Sequence, residues 1–237
     1  MNIEAIASNY NILAALVFLA GVIILIKATN YLAFKHPDLL RMREWNREED
    51  RPKKANPKWR PVALGNRKAG AIFNGGFALL ICPFVVSLGN FDVWKMLLDI
   101  FLVLMIYDFF YYLTHRFIFH GKILKRVHGL HHQARNPSFS DAHYVHPTET
   151  AVGLGLFIGT VSVYGFVAGY HALTLAIIFL VFTQLNQINH CKFNLDSFPF
   201  RTINYLTTKH HIHHENMGMG NFATITPLFD WMFGTLD

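Results

Sequence analysis

Five long apolar runs leave few folds open to this chain: Tyr10–Ile26, Ala69–Leu88, Trp94–Leu113, Thr150–Tyr170 and Leu173–Ile188. A helix rises ~1.5 Å per residue, so about twenty residues cross the ~30 Å hydrocarbon core of a bilayer. Runs of this length are too long for buried strands, which disfavours a soluble α/β enzyme. Charged residues make up only 15% of the chain, against ~25% in an ordinary soluble domain. The expected fold is therefore all-α: a multi-pass transmembrane helical protein with about four spans and a partial fifth. The fifth run is short and ends in polar Gln184, Asn186, Gln187, Asn189 and His190. The sequence divides as one integral-membrane domain over residues 1–237. Residues 10–113 hold three spans, and residues 114–237 hold the histidines and a helical hairpin, 150–188, with Gly169 at its tight end. No basic region precedes the first run and no small-residue cleavage site follows it, so it reads as a retained helix rather than a signal peptide.

Charge sets the expected orientation. Lys35–Lys68 carries 11 of the 21 lysines and arginines against five acids. A basic stretch can bind nucleic acid, but flanking spans make the positive-inside rule the better account, so no nucleic-acid partner is expected and this segment lies in the cytoplasm. Pro37, Pro52, Pro57 and Pro61 make it a loop with one short helix, Asp38–Glu49. Pro83 bends the second span. Counting from this loop, spans two and three return the chain to the cytoplasm at His115, and the hairpin returns it again at His190. The expected location is a bacterial inner membrane or the endoplasmic reticulum membrane, with a cytoplasmic helical cap.

Thirteen of the 14 histidines lie at or after position 115. His128, His131 and His132 form His-x-x-His-His, and so do His210, His213 and His214. On a helix, positions i, i+3 and i+4 share a face, while adjacent residues diverge by ~100°. That divergence suits two metals side by side, each neighbour serving a different ion. His115 and His120, five apart, do not share a face closely and could also divide between two ions. Neutral imidazole suits Fe, Zn, Cu and Ni. The Glu-x-x-His pairs of soluble di-iron bundles do not occur. Asp108, Asp141, Glu149, Glu215 and Asp230 are expected to accept the second N–H of ligand imidazoles; Asp108 lies two turns before His115 on its side of the helix. The two cysteines, Cys82 and Cys191, imply no disulfide framework.

These residues resemble the fatty acid hydroxylase/sterol desaturase superfamily of membrane histidine-box di-iron oxygenases. The likeness rests on His115-Arg116 through His120, His128 through His132, His146-Pro147-Thr148-Glu149, His210 through His214, Asn221-Phe222, and Asp230-Trp231-Met232-Phe233-Gly234-Thr235. It covers roughly Tyr107–Asp237. The resemblance implies a cytosol-facing centre of two iron ions, cycling between Fe2+ and Fe3+. With O2 as co-substrate, such a centre hydroxylates or desaturates a C–H bond of a lipid such as a sterol or fatty acyl chain. The implied ligands are His115, His120, His128, His131, His132, His190, His210, His213 and His214. His146, Asp108 and Glu149 are implied catalytic or supporting residues, with His143 and Asn194 as additional ligands or supports. Asn194 stands where some relatives have a histidine. With no fused cytochrome domain in view, electrons are expected from a separate donor of cytochrome b5, ferredoxin or reductase type. A non-oxygenase membrane metal protein, either a b-type haem electron carrier or a metal transporter, is the competing reading. Haem would favour paired histidines on spans, and a transporter would favour polar ligands near the midplane.

Overall fold

The computed structural model describes residues 10–237. The expected lack of a basic leader concerns residues outside that range. In chain order the helices are α1 (Ile12–Ala33), α2 (Pro37–Ala55), α3 (Trp59–Leu80), a short α4 (Cys82–Val85), α5 (Val93–Thr114), α6 (Lys125–His131), α7 (Pro147–Ala168), α8 (Ala172–Ile188), α9 (Arg201–Glu215) and α10 (Leu228–Met232). A π-helical turn, His115–Phe119, extends α5, and a 3-10 turn, Phe139–His143, precedes α7. The only sheet among the described residues pairs β1 (Val86–Ser87) in parallel with β2 (Tyr170–His171).

Local chemistry explains the helix ends. The Asn11 side chain accepts the Ala14 N–H and Asp92 accepts those of Trp94 and Lys95, satisfying amides that a first turn leaves unpaired. Gly169 closes α7 at φ 63°, a left-handed conformation a Cβ would strain. That residue forms the tight turn of the α7–α8 hairpin.

Three helices are long and apolar enough to cross a membrane: Ile12–Ala33, Val93–Phe119 and Pro147–Ala168. With them packs the shorter apolar α8. The chain is thus an all-α membrane protein. Its outer faces expose Ile24, Phe101, Val163 and Val167, as a lipid-facing surface requires. Inside, α1 packs on α8, α3 on α7, and α5 on both α7 and α8. Phe157 and Phe182 stack at 3.7 Å, Phe77 stacks on Phe179 at 5.4 Å, and Tyr107 sets its edge against Phe157 and Phe182. Lipid is as apolar as these rings, so close packing rather than water exclusion holds the spans together.

The second run departs from expectation. The helix there begins ten residues earlier, at Trp59, and stops at Leu80; the separate α4 starts at Cys82 with Pro83 in its first turn. Pro83 has no N–H to offer the Leu79 carbonyl, which accepts the Tyr10 hydroxyl instead, so the helix breaks at Ile81 rather than bending. The basic segment is also far more helical than its prolines suggested. Pro37 opens α2, where no amide partner is needed, and Pro61 sits in the first turn of α3. Only Pro52 lies inside a helix.

The bundle has two distinct ends. Pairing of Val86–Ser87 with Tyr170–His171 joins the end of α4 to the hairpin tip. The Lys95 Nζ donates to the Gly169 carbonyl at 3.0 Å, bringing the start of α5 there too. The C-terminus of α5, the N-terminus of α7 and the C-terminus of α8 therefore meet at the opposite end.

Candidate metal centre

Nine imidazoles gather at that opposite end in two groups. His115, His120, His128, His132 and His213 form the first; His131, His190, His210 and His214 form the second. Within each group the ligating nitrogens lie within 4.8 Å of one another, and all nine residues except His120 are buried. The two His-x-x-His-His motifs interlock. His128 and His132, an i, i+4 pair, join the first group and send His131 to the second. His210 and His214 join the second and send His213 to the first.

The π-turn changes one expectation. His120 donates its N–H to the His115 carbonyl at 2.9 Å, an i→i+5 bond. That wider turn brings residues five apart onto nearly the same face, so His115 and His120 both join the first group, their rings 5.0 Å apart. They do not divide. Gly121 makes the turn possible: a Cβ there would sit 1.8 Å from the Phe117 carbonyl oxygen.

Hydrogen bonding fixes the tautomer of seven rings. Nδ1 of His115 faces the Phe222 carbonyl at 2.6 Å, His120 that of Met217 at 3.0 Å, and His213 that of Gly220 at 2.6 Å. His131 pairs with Tyr144 O at 3.2 Å, His190 with Asn186 O at 2.9 Å, and His214 with Ala134 O at 3.1 Å. His128 Nδ1 meets the Glu149 carboxylate at 2.8 Å. Carbonyls and carboxylates only accept, so each Nδ1 carries the proton and each Nε2 presents a lone pair.

Those lone pairs face one another. Nε2–Nε2 separations run from 2.9 Å (His132–His128) through 3.0 Å (His115–His128, His190–His131) to 3.2 Å (His128–His120). The His214 Nε2 is buried without any partner. Opposed lone pairs repel unless a cation lies between them. Two nitrogens each ~2.1 Å from one ion and at right angles would stand ~3.0 Å apart, which is the spacing found. The donor set therefore fits a pair of metal ions. Burial holds these imidazoles neutral and available: the His131 ring is pushed down to about 4, and His213 to about 3, with the nearby His120 ring adding to the effect at His213.

Two buried carboxylates support this arrangement from a distance. Asp108 accepts the backbone N–H groups of Thr224, Ile225 and Thr226 at 2.9–3.0 Å, and the Thr226 hydroxyl at 3.1 Å. Asp230 accepts those of Phe222 and Ala223 at 2.8 Å. Together they clamp the segment whose carbonyls, at Met217, Gly220 and Phe222, orient three first-group rings. Asp108 thus touches no imidazole: its oxygens are filled by backbone amides, and it acts on His115 through the Phe222 loop. Asn221 takes φ 61° within that segment, a conformation asparagine tolerates. The Phe222 ring packs on His115, His120 and His213 at 5.7, 5.1 and 5.6 Å.

Other expected residues fall elsewhere. His146 is the N-cap of α7: its Nδ1 accepts the Thr148 N–H at 3.1 Å and so is not offered to either group. His143 sits beside Phe139, and its backbone carbonyl accepts from Asn66. Asn194 is exposed on the loop after α8, apart from the buried groups. Asp141 pairs with Lys53 and caps its own turn with Ser138, while Glu215 is exposed. Residues that escaped the sequence reading lie on α2. Asn46 bonds both backbone groups of Lys192 at 2.8–2.9 Å, and Asp50 accepts from Ser138 Oγ at 2.8 Å and Ser140 N at 3.0 Å. Lys53 donates to the Asn136 carbonyl at 3.0 Å. The i, i+4, i+7 spacing of Asn46, Asp50 and Lys53 was the available signal, hidden in a segment dominated by charge.

Fold and site together define a polytopic all-α membrane protein with nine imidazoles at one end of its helical bundle. A model of the fatty acid hydroxylase family matches residues 100–235, more than half of the chain, and the chain belongs to that family. It is similar to methylsterol monooxygenase 1 of Rattus norvegicus, 27% identical over 90% of this chain and 75% of that protein. A putative methylsterol monooxygenase of Dictyostelium discoideum is 32% identical over 56% of this chain, and methylsterol monooxygenase 2-2 of Arabidopsis thaliana 30% over 54%. The chain spans about half the length of each of these last two, 48%. No solved structure matches.

Proposed function

We propose that this protein is a membrane-bound di-iron oxidoreductase that uses O2 to oxidise a C–H bond of a lipid, with a sterol as the favoured substrate class. The observation that carries this reading is the convergence of lone pairs: of the nine imidazoles in the two groups, seven are locked with Nε2 pointing inward, four in the first group and three in the second. Iron held there would bind and reduce O2, chemistry that no protein side chain supplies. Five imidazole nitrogens in the first group exceed the four of a closed tetrahedral zinc site. The sterol preference rests on the names of the relatives, which are methylsterol monooxygenases.

The nine histidines hold the ions, and the Glu149 carboxylate keeps the His128 Nδ1 proton in place, raising the basicity of that ring. Phe222 and Phe119 cover the first group, the latter stacked on His128 at 5.2 Å, and exclude water from it. The lipid reaches the site from the bilayer between spans. Electrons come from a separate donor of cytochrome b5, ferredoxin or reductase type. The histidine end faces the cytoplasm, because the basic segment 35–68, which includes α2, is tied to it through Asn46–Lys192 and Lys53–Asn136. A haem carrier is disfavoured, since no macrocycle fits between nitrogens 3 Å apart. Metal transport is disfavoured because the groups lie at the bundle end rather than at its midplane.

The test is expression in a sterol-producing host, with lipid extracts compared by mass spectrometry against a His131→Ala control. A sterol gaining one oxygen atom, absent in the control, marks hydroxylation; one losing two hydrogens marks desaturation. Identical extracts from both strains, with iron-loaded wild-type protein present, would overturn the reading.

A further inference from the structure

A second cavity, of about 580 Å³, lies outside the histidine groups, where the first turns of α3 meet the 3-10 turn. From α3 it is lined by Trp59, Arg60, Leu64 and Arg67, and from the turn by Phe139 and Ser140. None of these residues is used in the chemistry above. Arg60 and Arg67 are seven apart, two helical turns, and so share a face. Neither has a carboxylate within reach among the described residues. Lys54, also on the wall, is paired with Asp50 at 3.1 Å. The cavity therefore carries two guanidiniums with no counter-charge.

One further donor in its wall lacks a partner. The Trp59 Nε1–H is buried at the atom and meets no acceptor, whereas Ser140 is engaged by the Asp50 carboxylate. A buried donor left unpaired costs ~1–3 kcal/mol, so a wall that keeps one beside two unpaired guanidiniums suits an acceptor brought from outside. The first turn of α3 has no acidic residue and no side-chain cap. Its positive helix end thus adds to the same field. The charge also registers on a neighbour: His143, on the same wall, has its pKa lowered by burial and then by Arg67 and Lys54. Farther along α3, past Lys68, the large exposed side chains are apolar: Ile72, Leu79 and Leu80. A charged socket followed by an apolar track along a helix packed against the spanning α7 matches an anionic amphiphile rather than a free ion.

We infer that this cavity binds the phosphate head group of an anionic membrane lipid. Arg60 and Arg67 hold the phosphate oxygens, the Trp59 indole N–H donates to one of them, and the acyl chains lie along the outer face of α3. Guanidinium forks match phosphate geometry, which makes charge-assisted pairs here stronger than a lysine would provide. The site shares the Phe139–His143 turn with the loop that supplies the Tyr144 carbonyl to His131, so it lies at the histidine end of the bundle.

The experiment uses the full-length, iron-loaded protein in neutral detergent. Short-chain phosphatidylglycerol, short-chain phosphatidylcholine and inorganic phosphate are each titrated, with binding read by tryptophan fluorescence and native mass spectrometry. Phosphatidylglycerol is expected to bind saturably, with phosphatidylcholine at least tenfold weaker. The double variant Arg60→Gln/Arg67→Gln is expected to lose that preference at least tenfold. Trp59→Phe, which keeps the ring and removes the donor, is expected to lose several-fold, read by mass spectrometry. Unchanged iron content in each variant certifies the fold. Equal binding of the two lipids, or an unaltered double variant with its iron intact, overturns the site. Inorganic phosphate binding as tightly as phosphatidylglycerol would reassign it to a free anion and overturn the lipid.

Discussion

The Glu149 carboxylate, in the first turn of α7, accepts the Nδ1–H of His128 at 2.8 Å, across 21 residues of chain. Its other oxygen is buried with no partner. The His128 ring also stands at the crossing point of the first group, with His115, His120 and His132 within 3.2 Å of its Nε2. Replacing Glu149 with alanine leaves the proton at Nδ1 without an acceptor and frees the ring to turn. Iron affinity is expected to fall ~10–100-fold, the usual effect of losing such a partner. Glu149→Gln, whose amide oxygen still accepts, should retain most of it. Competition with a chelator measures both.

Single ligand replacements should separate the two groups. His132→Ala removes a ring from the five-histidine group and His131→Ala one from the four-histidine group. The wild-type chain is expected to hold about two irons, and each variant to lose chiefly the ion on its own side. With only four donors, the second group tolerates the loss less well. Elemental analysis after gel filtration gives the count. Tight retention of both ions with His131 and His213 replaced together would exclude the assignment of ligands.

Acid should act on the metal-free fold before it acts on the loaded one. In the unfolded chain imidazole titrates near ~6.5. In the fold, burial pushes His131 down to about 4 and His213 to about 3. The unfolded state therefore binds more protons between these values, and stability falls as pH drops below about 6.5. The decline should continue until pH approaches 3–4. Above pH ~7 these groups give no slope. In the folded protein, protons compete with metal at His131 only near pH 4. Thermal denaturation of stripped protein and metal retention of loaded protein, each across pH 3–8, check the two limbs.

Gly121→Ala tests the π-turn. The added Cβ would overlap the Phe117 carbonyl at 1.8 Å, so the turn must open, at a cost of about 3 kcal/mol. His120 would leave its place opposite the Met217 carbonyl. Loss of first-group metal with the second group still occupied is expected, again by elemental analysis.

Asp108→Asn separates positioning from ligation. The amide retains one acceptor oxygen where the carboxylate offered two to Thr224, Ile225 and Thr226. At least one buried N–H loses its partner, which costs ~1–3 kcal/mol. A lowered Tm with iron still bound is the expected result; complete loss of iron from a folded protein would make Asp108 a ligand after all.

Much of this protein was legible in its sequence, because the relevant information is local. The length of an apolar run sets whether a helix can span lipid, and the i, i+3, i+4 spacing of His128, His131 and His132 sets which rings share a face. The nine histidines the structure brings together are the nine that spacing and resemblance singled out, and the parity of the spans placed them at one end.

Relations across the fold were not legible. By spacing alone His115 and His120 did not share a face closely and could have divided between two ions; an i→i+5 turn, permitted by Gly121, joins them in one group. Asp108 looked like a partner for His115, but its oxygens reach amides 116–118 residues away. His146 resembled a site residue and became a helix cap. The prolines of 35–68 read as loop, yet α2 buries Asn46 and Asp50 against the histidine-bearing segments. Helix periodicity is written in neighbouring residues, whereas the partner of a buried polar atom is chosen by which segments pack beside it, and only the tertiary structure decides that.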